Sequence, residues 1–210
     1  MKRAVFVVLL SLALPMAALA STVDFSNSGG TLTGSSAGLT LSGSEIIQAT
    51  GLGSGAVGDD GTLSFSTGSF LSTAGSGLNS VTSFNSGGSF VITGNGTNGV
   101  PSGTIFNGTF TSTVKLTLVS TGPDGSDTYT LVGSVSGMWF NGKTYVGVTN
   151  QTWSGTFTTG ADGFMGSATL GSGETIVSPT AVPEPATLGL LGTGLVGLAG
   201  VFRKKLKLKS

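Results

Sequence analysis

From residue 104 to 119 the apolar residues, Ile105 and Val119 apart, fall on one alternating phase. Phe106, Gly108, Phe110, Ser112, Val114, Leu116 and Leu118 share one phase; Asn107, Thr109, Thr111, Thr113, Lys115 and Thr117 share the other. Successive side chains of a strand point to opposite faces, so this spacing predicts a strand with one buried and one wet side. The run is long for one strand, and Asn107-Gly108 is the expected place of a bulge or bend. The turn formers Gly122-Pro123-Asp124-Gly125-Ser126-Asp127 predict a loop. A return strand over 128–140 carries Tyr129, Leu131, Val135 and Trp139 on one face, and Asn141-Gly142 is a favoured two-residue hairpin turn. Further strands over 143–148, 152–158 and 164–170 complete a predicted antiparallel meander.

The preceding part is rich in Gly, Ser and Thr. Short strands are expected at 22–25, 39–41, 61–65, 81–84 and 89–93, separated by clusters such as Ser28-Gly29-Gly30 and Gly75-Ser76-Gly77. A disordered linker is the other reading of this composition, but the apolar residues keep strand-like spacing. No stretch between 21 and 182 repeats apolar residues at helical spacing. The expected fold is therefore an all-β antiparallel sandwich or jelly-roll-like domain over 21–177, covering two such faces against each other.

Both ends read as addresses. Lys2 and Arg3 precede an apolar run over 4–14 and the small-residue site Ala18-Leu19-Ala20. That pattern predicts a signal peptide over 1–20, removed by signal peptidase to leave Ser21 first. At the other end, a Pro-rich linker over 178–185 contains Val182-Pro183-Glu184-Pro185. Its prolines hold it extended. An apolar run over 186–202 follows, 17 residues long, the lower limit for a spanning helix. Gly189, Thr193 and Gly197 lie at steps of four and give that expected transmembrane helix one small-residue face. A basic tail over 203–210 begins with the membrane stop Arg203, Lys204 and Lys205.

The charges are segregated accordingly. Between Ser21 and Val182 two basic residues, Lys115 and Lys143, face eight acids: Asp24, Glu45, Asp59, Asp60, Asp124, Asp127, Asp162 and Glu174, a net charge of −6. Cationic ends stay inside and the acidic middle is exported through the inner membrane. An acidic body also argues against nucleic acid as a partner.

The order of Pro-Glu-Pro, Gly- and Leu-rich segment and basic cluster over about 182–205 resembles the PEP-CTERM sorting signal of Gram-negative bacteria. The resemblance implies an exosortase-type transpeptidase as partner, cutting near Pro183-Glu184-Pro185. It implies transient anchoring in the membrane, then a place at the cell surface or outside the cell, with a link to extracellular polysaccharide and biofilm. The same tail is also labelled the C-terminal domain of ice-binding proteins. Ser28-Gly29-Gly30-Thr31-Leu32-Thr33-Gly34 and Trp139-Phe140-Asn141-Gly142 are similar to stretches of the small Gly/Thr-rich exported proteins that carry this tail.

Catalytic chemistry finds few footholds. The chain has no cysteine and no histidine, which removes thiolate and imidazole metal ligands and the Ser-His and Cys-His mechanisms. Ser112-Thr113-Val114-Lys115 matches a Ser-x-x-Lys pattern, but in a strand positions three apart point to opposite faces. Asp124 and Asp127 make a weak start toward a calcium site, against the plainer reading of a solvated turn. Asp59-Asp60-Gly61 reads as a turn. A glycosidase acid/base pair among the eight acids remains an alternative. The row Thr109, Thr111, Thr113, Thr117 suggests water ordering, yet Thr is an ordinary strand former on a wet face. Tyr129, Trp139, Tyr145 and Trp153 are either sugar-stacking platforms or core. The expectation is a non-enzymatic, cofactor-free surface or matrix protein with a structural or adhesive role. Polysaccharide or ice-surface binding and a carboxylate-dependent glycosidase are the alternatives.

Overall fold

The computed structural model describes residues 22–180, apart from Ser54, Asp124, Ala161 and Asp162, together with Gly194. Twelve strands follow in order: β1 (Val23–Ser28), β2 (Thr31–Ser35), β3 (Gly38–Thr50), β4 (Gly61–Ser66), β5 (Phe70–Ala74), β6 (Val81–Phe84), β7 (Gly87–Asn95), β8 (Ser102–Phe110), β9 (Val114–Thr121), β10 (Asp127–Trp139), β11 (Thr144–Gly160) and β12 (Gly163–Pro179). Strands are expected wherever β-branched and aromatic residues alternate with Ser and Thr between glycine clusters.

Every ladder is antiparallel, and the ladders close. β12, β2, β3, β4, β7, β8, β10 and β11 pair in sequence, and β11 returns to β12, so eight strands form a ring. β1 and β2 share one place in the wall, both lying between β12 and β3. The kink between them is Gly29-Gly30, both at positive φ (67° and 84°), where only glycine is comfortable. β8 and β9 likewise share the neighbour β10, and β6 and β5 extend the wall from β9.

Closure corrects the expected architecture. The domain is a barrel, neither a sandwich nor a jelly roll. Two packed sheets would leave four edges to protect, and a closed sheet removes them. The decisive ladder joins the first strand to the last, with Val23 opposite Val177 and Phe25 opposite Thr175. Alternation along single strands is the same in either architecture, so it could not distinguish them.

An eight-stranded barrel is just wide enough for its own side chains to fill. Here they do. Phe25, Phe84, Phe90, Phe106, Phe110 and Trp153 are fully buried. Phe65 stacks on Phe90 at 5.9 Å and meets Phe110 edge-on at 5.5 Å. Each buried ring contributes about 1.5–3 kcal/mol by leaving water, and a favourable ring pair about 0.5–1.5 kcal/mol more. Apolar residues point in and hydroxyls mostly out, the reverse of a lipid-facing barrel.

From Phe106 on, the run over 104–119 shows the expected faces, with Phe106, Phe110, Val114 and Leu116 buried; Ile105 is buried as well, at a bulge where the β7–β8 register slips between Thr104 and Phe106. The interruption of the run, however, lies at 111–113 rather than at Asn107-Gly108. Gly108 instead faces Gly137 across the β8–β10 ladder, where a Cβ on either would strike the opposite backbone. The strands expected at 143–148 and 152–158 are one strand, β11. A hairpin forms at Asn141-Gly142, but with three loop residues rather than the expected two: the Trp139 N–H donates to the Lys143 carbonyl at 2.9 Å, the Gly142 N–H to the Trp139 carbonyl at 2.8 Å, and only Gly142 of the pair takes positive φ (79°).

The expected C-terminal transmembrane helix gains no support. Among the described residues no helix is long and apolar enough to cross a membrane, and residues 186–202, Gly194 apart, lie outside them.

Candidate functional site

Among the described residues, the barrel interior holds a connected polar cluster. Asn27 continues the inward phase of Val23 and Phe25 on β1, and Gln151 continues that of Trp153 on β11; both are buried. Asn27 Nδ2 donates to Gln151 Oε1 at 2.9 Å, and Gln151 Nε2 donates back to Asn27 Oδ1 at 3.1 Å. β12 lies between them, and the residue in register with both is Gly173. Asn27 Nδ2 also donates to Ser44 Oγ at 2.8 Å, and Gln151 Nε2 to Thr149 Oγ1 at 2.8 Å. The Thr149 and Thr175 hydroxyls pair at 2.9 Å. Such a cluster is tolerable in a core because its members satisfy one another. The indole N–H of Trp153, equally buried, has no partner among the described residues. The readable signal for this cluster was a polar residue on an apolar phase, at Asn27 and at Gln151.

The carboxylates lie elsewhere. Asp24 and Glu174 are neighbours on the outside of the β1–β12 ladder, where Asp24 faces Ile176 and Ser26 faces Glu174. Burial, then the charge of Glu174 and a hydrogen bond with it, push the Asp24 carboxyl above its usual range. Asp24 Oδ1 is buried without a partner. Asp60, expected in a simple turn, is 1 % exposed and accepts from Asn98 Nδ2 at 2.7 Å. Asp59 Oδ1 receives the Gly61 N–H at 3.1 Å, the local bond of the expected turn, and the Asp59 carbonyl accepts from Asn95 Nδ2 at 2.7 Å and Thr97 Oγ1 at 2.6 Å, so the Asp59 backbone and the Asp60 carboxylate together fasten the 51–60 loop to residues 95–98. Asp127 accepts from the Tyr129 hydroxyl at 3.1 Å. Its proposed calcium partner Asp124 lies outside the described residues. Among the described residues no group of three or more His, Cys, Asp or Glu is placed to hold a metal.

The four aromatics weighed as sugar platforms are core. Tyr129, Trp139, Tyr145 and Trp153 are all buried, and Trp139 stacks on Tyr145 at 4.5 Å. Burial pushes the Tyr129 phenol up to about 12, helped by its hydrogen bond to Asp127 and the charge there.

The threonine row of 109–117 is broken by the gap at 111–113. Hydroxyls align across strands instead. Thr156, Ser167, Thr33, Thr40, Ser66 and Ser89 are successive ladder partners from β11 round to β7. Ser120, Thr128, Ser154, Thr169, Thr31 and Ser42 make a second such row from β9 round to β3. Neighbouring strands in an eight-stranded barrel turn by roughly 45° about its axis, so these rows wrap and do not lie flat.

The residues expected to serve sorting and processing (Val182, Pro183, Glu184 and Pro185), the expected stop (Arg203, Lys204 and Lys205) and the expected signal-peptidase site (Ala18, Ala20 and Ser21) lie outside the described residues. Comparison with known families places a PEP-CTERM protein-sorting motif at residues 181–204. The chain thus carries the signal of an exported protein handled by exosortase and sorted to the cell surface through a membrane-anchored stage. No curated protein and no solved structure matches the chain.

Proposed function

We propose that this chain is a non-enzymatic exported barrel that serves as a structural or adhesive part of the cell envelope or extracellular matrix. The sorting motif at 181–204 carries the reading. The barrel supports it, because its interior is occupied by its own rings and by a self-satisfied amide cluster. Its outer face offers hydroxyls, which suit a hydrated, polymer-rich setting. Pro183, Glu184 and Pro185 form the recognition element for processing, and Arg203 to Lys205 the stop.

Fractionation of cells expressing the full chain tests this. The native protein reaches the surface or the medium, and a chain with Pro183, Glu184 and Pro185 all replaced by alanine accumulates in the inner membrane. Equal export of both chains contradicts the proposal.

Binding to extracellular polysaccharide is a second reading, favoured by the two hydroxyl rows. Ice-surface binding is less favoured, since a lattice plane meets only a narrow strip of a round wall. The glycosidase reading gains nothing from Asp24 and Glu174. Both lie on the outer face of the β1–β12 ladder, Asp24 opposite Ile176 and Glu174 opposite Ser26.

A further inference from the structure

The outer wall is mostly hydroxyl, but among the described residues a connected group of apolar side chains departs from that near the end of the β10–β11 hairpin. Met138, Phe140, Val146, Val148 and Ile176 are each 40–54 % exposed. Val148 faces Ile176 directly in the β11–β12 ladder. Val146 lies two residues from Val148 on the same face. Met138, opposite Thr144, is diagonal to Val146, and Phe140 lies two residues beyond Met138. Lys143, one of two basic residues in the exported segment, is exposed on the same hairpin. Asp24, opposite Ile176, marks the far margin of the patch.

The chain leaves the barrel at the near margin. The Thr180 N–H and its hydroxyl both donate to the Thr144 carbonyl, each at 3.1 Å, and Thr144 is the ladder partner of Met138. Five residues, 181–185, then separate this point from the apolar run that starts at Ala186. An extended chain of that length spans at most about 18 Å.

We propose that this patch is the face by which the barrel rests on the lipid bilayer while the precursor is held at the membrane, an inference that rests on the membrane-anchored sorting described above. The short tether keeps Thr144 and its neighbours close to the headgroups. Exposed Met, Val, Ile and Phe gain by leaving water at the acyl boundary, an aromatic ring is favoured at that depth, and Lys143 can reach anionic headgroups. A second copy is a poorer occupant. A stable protein pair buries about 800 Å² on each partner, more than five half-exposed side chains supply. Shortening the tail by processing would free the face.

The absence of cysteine makes the test clean. Single replacements Met138→Cys, Val146→Cys and, as control at a distant turn, Leu78→Cys take an environment-sensitive dye. The labelled full-length chains are reconstituted in phosphatidylcholine/phosphatidylglycerol vesicles that contain brominated lipid. Dyes at 138 and 146 are expected to be quenched several-fold more than at 78. Equal quenching at all three sites, or none, overturns the inference. So does shielding that rises with protein concentration and ignores bromine, which would indicate a second copy. Flotation of the vesicles separates the premises: a chain that does not float contradicts membrane-anchored sorting itself, whereas one that floats unquenched contradicts only the face.

Discussion

The side-chain amides of Asn27 and Gln151, 124 residues apart in sequence, hydrogen-bond to each other in both directions inside the barrel, across the bare backbone of Gly173. A Cβ at Gly173 would strike Gln151 Oε1 and Asn27 Oδ1. Gly173→Ala is therefore expected to destabilise strongly, by breaking the pair and leaving buried amide groups unsatisfied at about 1–3 kcal/mol each. Urea unfolding gives the loss. A midpoint within error of the parent would contradict the role of the glycine.

Removing one amide leaves the other unpaired, while removing both leaves none. Asn27→Leu and Gln151→Leu should each cost about 1–3 kcal/mol, and the double replacement clearly less than their sum. Additive losses in the double-mutant cycle would show that the two amides act separately.

The strands of this domain are legible in the sequence, but the barrel they form is not. The faces of β8 and β9 and the Asn141-Gly142 hairpin follow from period two and turn chemistry, both of which are local. Closure is not local. It depends on Val23–Ser28 finding Gly173 to Val177, and neither segment carries a mark of the other. The split at 111–113 is not legible because Thr111, Ser112 and Thr113 have ordinary strand preferences, and the break falls where the chain, still beside β10, exchanges β7 for β6 as its other neighbour. Asp60 was read as a turn residue because burial of a loop acid by Asn98 needs two distant loops to meet. The sorting motif, by contrast, is linear and needs no fold to be read.

Acid titration should find Asp24. Its carboxyl is pushed above the ordinary 3.8 in the folded state, so the folded chain holds that proton more tightly than the unfolded one. The resulting stability is fully present below the unfolded value and is lost as pH rises through the raised one. Asp24→Asn should flatten this part of the stability profile and raise stability on its neutral side, with Glu174 left unopposed. An unchanged slope in denaturant titrations across acidic pH would exclude the pair as its source.

Tyr129 acts at the other extreme. Its phenol moves from 10.0 to about 12, so the folded state again keeps the proton longer. Stability should fall as pH rises from about 10 toward 12, and Tyr129→Phe should remove that part of the fall. The ultraviolet titration of phenolate absorbance reads the shift directly.

At the Gly108–Gly137 pair two backbones approach too closely for any side chain. Gly137→Val should prevent closure of the β8–β10 ladder, abolishing the cooperative transition, whereas Ser136→Val on the outer face should leave it within about 0.5 kcal/mol. Thermal melts of the two variants make the comparison.

The most direct measurement is the intact mass of the native protein recovered separately from cells and from the medium. Export and sorting predict a surface or extracellular species that begins at Ser21 and ends within residues 182–185. A sole species that keeps Met1 and Ser210 would contradict the account.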